Sequence, residues 1–390
     1  MRLKISAGSG GDVQLRFVFM AKRCFTVFGF LFAEVLCCSL VKYWFSPYNY
    51  VHEHYYGQFM AKIIGTVLGG SNNVFEVECV SESSHGHTSL VRICTLKSKR
   101  LKSEKKYYNP LAPGDSVEIS VDDLEDKKGQ IVALLPRKNE FVRRNIKGRT
   151  PQLLAANLDC LIAVTTPDEP PFRPRFIDRI LVQAEYQNIQ AIIVCNKYDL
   201  PASQSPALQQ RLSAWEDLGY KVLRLSAQSG EGMTEFAELL SGKTSALVGQ
   251  SGVGKSSLVN VLDNSCVLKI GSLSEKYGKG KHTTSKGSLM RININESLIG
   301  GIHGASASII DTPGVKKFIL HNIPANDVAL YFREMKPFVG KCAFGMSCTH
   351  TSEAGCKILE AVYSGLINED RYKSWKKITE EIKTGKWQTE

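Results

Sequence analysis

The octapeptide GQSGVGKS, Gly249–Ser256, constrains this chain more than any other feature. Its G-x-x-x-x-G-K-S spacing puts glycines where a backbone must close around phosphate, then a lysine that neutralises charge and a hydroxyl that can ligate magnesium. The apolar SALVG precedes it and SSLVNVL follows, which is the strand-before, helix-after context of a phosphate loop. Gly249, Gln250, Ser251, Gly252, Val253, Gly254, Lys255, Ser256 and Ser257 are therefore expected to surround a nucleotide's phosphates, with Lys255 on the β and γ charges and Ser256 on Mg2+.

Two further motifs extend the site. DTPG, Asp311–Gly314, follows the apolar ASIID, so Asp311 can reach Mg2+ and the Gly314 N–H can meet a γ-phosphate. NKYD, Asn196–Asp199, ends the apolar run AIIVC. The Asp199 carboxylate can accept from both N1–H and the 2-amino group of guanine, a pattern adenine lacks, while Asn196 meets the ring edge and the Lys197 stem covers the base. LSAQSG then offers the Ser226 and Ala227 backbone to the guanine oxygen. The base-reading segment precedes the phosphate loop by some fifty residues, so the sheet is expected to be assembled in circularly permuted order.

The remainder reads as a multidomain α/β protein. Five short alternating runs, AKIIGTVLG, VFEVECV, SLVRICTL, DSVEISV and GQIVALL, predict a closed OB-type β-barrel over residues 61–136. Its basic excursion Leu96–Tyr108, ending in two tyrosines, suits RNA, although a solvated loop has the same composition. Residues 137–155 read as a basic linker, with Arg137, Lys138, Arg143, Arg144, Lys147 and Arg149 continuing that electropositive surface. Over 156–320, LDCLIAV, AIIVC, YKVLRLSA and KTSALVG read as buried strands alternating with helices such as RFIDRILVQAEYQ. The formal charge of +11 fits an anionic partner such as nucleic acid or a membrane surface.

Eleven cysteines scattered through 390 residues argue against a secreted disulfide scaffold. Four candidate ligands, Cys342, Cys348, His350 and Cys356, fall within fifteen residues and suit one structural Zn2+ in a closed tetrahedral site; a disulfide, which needs an oxidising compartment, is the alternative. The flanking PANDVALYFREM and CKILEAVYSGLINEDRYKSWKKITEEI read as helices, so residues 321–390 form a zinc-binding helical domain, with Lys373, Lys376 and Lys377 available to RNA phosphates.

Residues 1–60 read as a leader. Arg2, Lys4, Arg16, Lys22 and Arg23 face one acid, Asp12, before the apolar run Cys24–Phe45. A cleaved organelle-targeting segment, for a mitochondrion or plastid, ranks first; a membrane anchor, opposed by Glu34, ranks second; a non-native extension upstream of Met60 is third.

The barrel with PGDSVE, the segment LPRKNEFVRR, NKYD, GQSGVGKSSLVN, GKGKHTTS, DTPGV and the Cys/His cluster, taken in that order over about 65–372, resemble the RsgA (YjeQ) family of circularly permuted GTPases. The resemblance implies GTP hydrolysis stimulated by the small ribosomal subunit, contact with its rRNA, late subunit maturation, and a monomer without membrane contact once the leader is removed. It implies that GKGKHTT is the first switch, with Thr283 or Thr284 completing the Mg2+ shell and His282 positioning water, because Val315 stands where many GTPases carry glutamine. The first cysteine spacing, C-x5-C, departs from the family's C-x4-C. Two rival functions are an RNA-binding module that holds GTP with little turnover, suggested by Val315, and a membrane-anchored GTPase with a non-ribosomal partner, suggested by the apolar run.

Overall fold

Runs of consecutive buried residues decide the sheet. CLIAVT and AIIVC are buried at every position, as expected of strands covered on both faces. The computed structural model describes residues 62–387 except 72, 84–85, 98–106, 122–126, 146–149, 266–286, 302 and 313–316. The leader, His282, Thr283, Thr284 and Gly314 lie outside the described residues.

Strands β1 (Lys62–Ser71), β2 (Val74–Ser83), β3 (Gly86–Leu96), β4 (Ser116–Ser120) and β5 (Lys128–Leu134) match the five expected runs. They close into a barrel in the order β1-β2-β3-β5-β4, with β4 pairing back onto β1. Inward positions alternate along each strand, so Val67, Phe75, Val77, Val117, Ile119 and Ile131 fill the lumen.

The basic linker is structured. β6 (Glu140–Arg143) and β7 (Gln152–Ala156) form an antiparallel hairpin whose Phe141, Val142, Leu153 and Leu154 are buried. Arg137 is a clamp and not part of an open basic surface: its Nε and Nη2 donate to Asp115 at 2.7 and 2.8 Å, and its Nη1 reaches Glu140 at 3.3 Å. Arg143 donates to Gln152. Tyr107 likewise donates to Glu140 at 2.7 Å, and of the two tyrosines it is Tyr108 that stands exposed. The apolar residues interleaved with the basic ones explain the difference, because burying them carries the neighbouring guanidinium into carboxylate pairs.

The second layer alternates as expected: β8 (Cys160–Thr165), α1 (Pro174–Tyr186), β9 (Ala191–Cys195), α2 (Pro206–Asp217), β10 (Lys221–Arg224), α3 (Met233–Leu240), β11 (Thr244–Gly249), α4 (Lys255–Leu262), β12 (Ser288–Asn293) and β13 (Ser306–Asp311). Strand order is β10-β9-β8-β11-β13-β12, parallel except for β12, and β12 touches β1 so that sheet and barrel are continuous. One face of the sheet packs α3 and α4 through Met233, Phe236, Leu258 and Leu262. The other packs α1, α2 and the C-terminal segment in a single core.

That segment contains α5 (Lys357–Tyr363) and α6 (Glu369–Thr384), separated at Gly365, where φ is 77°. PANDVALYFREM forms a 3-10 helix over Ala325–Tyr331 and not an α-helix, since Phe332 turns extended and buries its ring. An ion network fixes this segment on α1. Asp178 receives bonds from Arg371, Arg211 and, at 3.0 Å, the Trp215 indole. Arg371 also donates to Glu334 at 2.7 and 3.1 Å, and Arg179 pairs with Glu381 at 2.8 Å. Burial alone would lower the Arg371 pKa, and the Asp178 and Glu334 carboxylates more than reverse it. Burial would raise the Asp178 pKa, and Arg211 and Arg371 hold it below the usual carboxylate range. Removing one member of such a group strands its partners. Arg371→Met is expected to destabilise the chain by about 3–5 kcal/mol in urea unfolding; a loss near zero would mean the network does not hold the segment.

Candidate functional site: a phosphate loop, a base pocket and a Cys/His cluster

The carboxyl ends of the parallel strands collect the motifs, as the topology of an open α/β sheet dictates. The phosphate loop leaves β11, NKYD leaves β9, Ser226–Ala227 follows β10, and Asp311 ends β13. Asn196 joins three of them. It is almost fully buried, its Nδ2 donates to the Val253 carbonyl at 2.9 Å, and its Oδ1 accepts from the Ala227 N–H at 3.1 Å. That N–H, expected to face the guanine oxygen, is therefore occupied by Asn196. Gly254 sits directly over the Asn196 amide with φ of 88°, and a Cβ there would strike Nδ2. Only glycine meets both demands.

Around the base pocket, Asp199 is exposed and available, while the Lys197 Nζ donates to the Glu169 carbonyl at 2.6 Å. Ser226 is fully buried, and its Oγ accepts from the Gln228 and Ser229 N–H groups, shaping the loop from within. Residues 166–170 lie beside both motifs, with the Glu169 carbonyl at Lys197 and Pro170 at the phosphate loop. Thr166 Oγ1 donates to the Pro170 carbonyl at 2.8 Å, and Pro170 lies against the Gly252 turn. Sequence reasoning passed over this TTPDEP stretch, although its place after an apolar strand marks it as a carboxyl-edge loop. Thr312, also missed, donates its hydroxyl to the Leu247 carbonyl at 2.7 Å and ties β13 to β11 beneath the phosphate loop.

The phosphate side carries unmet polar capacity. Lys255 is buried, its Nζ donating to the Gly249 and Gln250 carbonyls at 3.2 and 3.1 Å, and burial pulls its pKa down against the attraction of Asp311. Asp311 Oδ1 and Gln250 Nε2 are buried without hydrogen-bond partners among the described residues. Burial pushes the Asp311 carboxyl up to about 6 despite Lys255. An oxygen acceptor with no donor suits a hard cation, and a buried ammonium beside it suits phosphate. Ser256, at the first turn of α4, supplies the hydroxyl.

At the other end of the chain, Cys342, Cys348, His350 and Cys356 are all buried, with ligand atoms within 4.8 Å of one another. Cys342 Sγ and Cys356 Sγ lie 3.9 Å apart, and each stands 3.5 Å from His350 Nδ1. Tetrahedral zinc with Zn–S of about 2.3 Å requires sulfurs about 3.8 Å apart, so the cluster fits the metal. The sulfurs are too distant for a disulfide, which needs about 2.05 Å. The extra residue between Cys342 and Cys348 is absorbed by a 3-10 turn, Gly345–Ser347, which leaves Cys342 within the set. Glu353 accepts from the Thr349 hydroxyl and from the N–H groups of Thr349, Thr351 and Ser352; the hydroxyl bond first, and the backbone bonds of Ser352 and Thr351 with it, hold its pKa far below the usual range.

Two predictions follow from these groups. In nucleotide-free protein the pKa of Asp311, about 6, exceeds the ordinary aspartate value of 3.8 because the carboxyl is buried. Its contribution is therefore complete below pH 4 and lost as pH rises through 6, which makes ionised Asp311 a cost at neutrality. Asp311→Asn is expected to stabilise the nucleotide-free chain at pH 7 by about 1–3 kcal/mol and to have little effect at pH 4; equal effects at both pH values would contradict the assignment. Cys348→Ser is expected to abolish one zinc per chain in metal analysis and to lower the melting temperature, whereas unchanged zinc content would place the metal elsewhere.

The comparisons with known proteins agree with this geometry. The family model of the RsgA GTPase matches residues 134–321. The small ribosomal subunit biogenesis GTPase RsgA of Borreliella burgdorferi (strain ZS7) is 36% identical over 320 residues, covering 82% of this chain and 96% of that protein. The protein of the same name from Chlorobaculum parvum is 37% identical over 281 residues, 70% of this chain and 86% of its own. Among solved structures, YjeQ from Thermotoga maritima superposes with a TM-score of 0.60 at 28% identity, covering 83% of this chain and 99% of that one. YloQ, a circularly permuted GTPase, has a TM-score of 0.58 at 22% identity, covers 87% of this chain and all of its own, and bears on the fold alone. Permuted motif order, closed barrel and relatives of nearly full length lead to one conclusion: the chain belongs to the RsgA family of circularly permuted GTPases.

Proposed function

We propose that this chain binds GTP at the carboxyl edge of its sheet, hydrolyses it, and serves in maturation of the small ribosomal subunit. The observation that carries the nucleotide reading is the convergence of NKYD, the Ala227 loop, the phosphate loop and Asp311 Oδ1, which no described residue satisfies, on one sheet edge. Asp199 reads guanine, Lys255 neutralises the phosphates, and Ser256 and Asp311 would hold Mg2+, which supplies charge neutralisation there when bound. Gly314, Thr283 or Thr284 as the further Mg2+ ligand, and His282 as the residue that orients water complete the site in this reading. The Cys/His cluster holds one structural Zn2+.

The ribosomal role rests on the relatives' names and on the barrel, a fold that suits nucleic acid. In this reading the barrel and the Zn2+-bearing segment meet the subunit's rRNA while the nucleotide site is stimulated by it.

Single-turnover GTP hydrolysis, with and without purified small ribosomal subunits and with Lys255→Ala as blank, tests the whole. Stimulation that vanishes in the blank is expected; GTP binding without stimulation would leave a nucleotide-binding module with another partner. Asp199→Asn is expected to weaken GTP by about a hundredfold or more while admitting xanthosine triphosphate, whose 2-oxygen accepts from the new amide; retained GTP preference would remove Asp199 from the base pocket.

A further inference from the structure

Four chain segments meet at Gly287, the residue that leads into β12. A Cβ there would lie 3.1 Å from the Asp311 carbonyl, 3.6 Å from the Leu154 carbonyl of β7 and 3.7 Å from Pro113 Cγ of the barrel's PGD turn. The next residue, Ser288, pairs with Asp311 on one side and with Gly69 of barrel strand β1 on the other. The PGD turn also lies against β13, since a Cβ on Gly114 would lie 3.2 Å from Ile310 Cδ1. Further along β12, Arg291 donates to Glu78 of barrel strand β2 at 2.9 Å and also bonds Ser308 of β13. The turn itself is rigid, because the carboxylate of Asp115 is held by Arg137 and by the Ala112 N–H at 2.9 Å.

We propose that Gly287 and Arg291 are positioning residues of a seam through which the barrel sets the placement of Asp311 and is itself set by the bound nucleotide. Neither residue lies in the phosphate loop, NKYD or DTPG; both act through β13, whose terminal carboxylate faces the phosphate side. The inference rests on the reading that GTP and Mg2+ occupy this edge. A methyl group at 287 would press on the Asp311 carbonyl, which would have to yield by a few tenths of an ångström, while meeting Leu154 and Pro113 at ordinary contact distance, and a junction packed this closely transmits displacement. Coupling of this kind is reciprocal, so RNA held by the barrel would act back on the nucleotide site by the same factor in binding.

Hydrogen exchange of the full chain with GDP or guanosine β,γ-imidotriphosphate tests the seam. In the unaltered protein, exchange in barrel residues 62–71 and 107–121 is expected to differ by about threefold or more between the two nucleotides. Gly287→Ala and Arg291→Glu are expected to remove most of that difference while GDP affinity stays within about twofold of the original. Arg291→Glu, at a half-exposed site, keeps the test decisive should Gly287→Ala not fold. Nucleotide-dependent exchange confined to 156–320, or variants that keep the barrel response, would overturn the proposal. So would parallel loss of GDP affinity and barrel response, which marks a folding role alone. Hydrolysis with small subunits separates this from the ribosomal reading: unstimulated protein with a responsive barrel fails that reading only, and stimulated protein with an unresponsive barrel fails only the seam.

Discussion

The Asn196 side chain is the interaction on which the nucleotide site depends. It uses its two functional ends on two loops, a donor to Val253 and an acceptor for Ala227, in a place closed to water. A buried amide with both ends satisfied stabilises its surroundings, and one left unsatisfied costs the full desolvation of the orphaned group. The phosphate loop is thus referenced to the base pocket before any ligand arrives, and the glycine at 254 is required by the amide beneath it as much as by phosphate above.

From that point rigidity spreads in two directions. Residues 166–170 lead from the two motifs into α1, and α1 carries Asp178 and Arg179 into the ion network with the C-terminal segment. The same segment wraps the Cys/His cluster, where Trp375 and Tyr372 stack at 5.5 Å and the Tyr372 hydroxyl donates to the His350 carbonyl. The cluster and α1 therefore belong to one core. In the other direction β12 and the PGD turn tie the sheet to the barrel.

How much of this was legible in sequence follows from the range of the interactions involved. The phosphate loop, NKYD, DTPG and the Cys/His spacing are local patterns whose chemistry needs only neighbouring residues, and the five barrel strands announce themselves by alternation. Arg137 did not, because its burial depends on Asp115 and Glu140, twenty-two and three residues away. Read along the chain it is one basic residue among six; in space it is a clamp. The hairpin of β6 and β7 was hidden for the same reason, its apolar residues diluted by charge. Arg371, Asp178 and Glu334 carry no local signature, since Arg371 meets Asp178 across 193 residues of chain and Glu334 across 37. The Gly287 junction is visible only when four distant segments are brought together.

The electrostatics of the phosphate side give the fold its functional direction. Lys255 and Asp311 are both buried, and desolvation disfavours the charged form of each: the ammonium pKa falls and the carboxyl rises to about 6. Their mutual attraction opposes this and does not cancel it. The nucleotide-free chain therefore holds a preformed site at some cost in stability, with a carboxylate oxygen that no described residue satisfies. A divalent cation with a phosphate satisfies both groups at once, so part of the binding free energy is the release of that cost, and ligand binding stabilises the fold by the same linkage. Because Asp311 ends the strand that β12 and the barrel turn lie against, a group whose burial is costly without a ligand is also joined to the barrel.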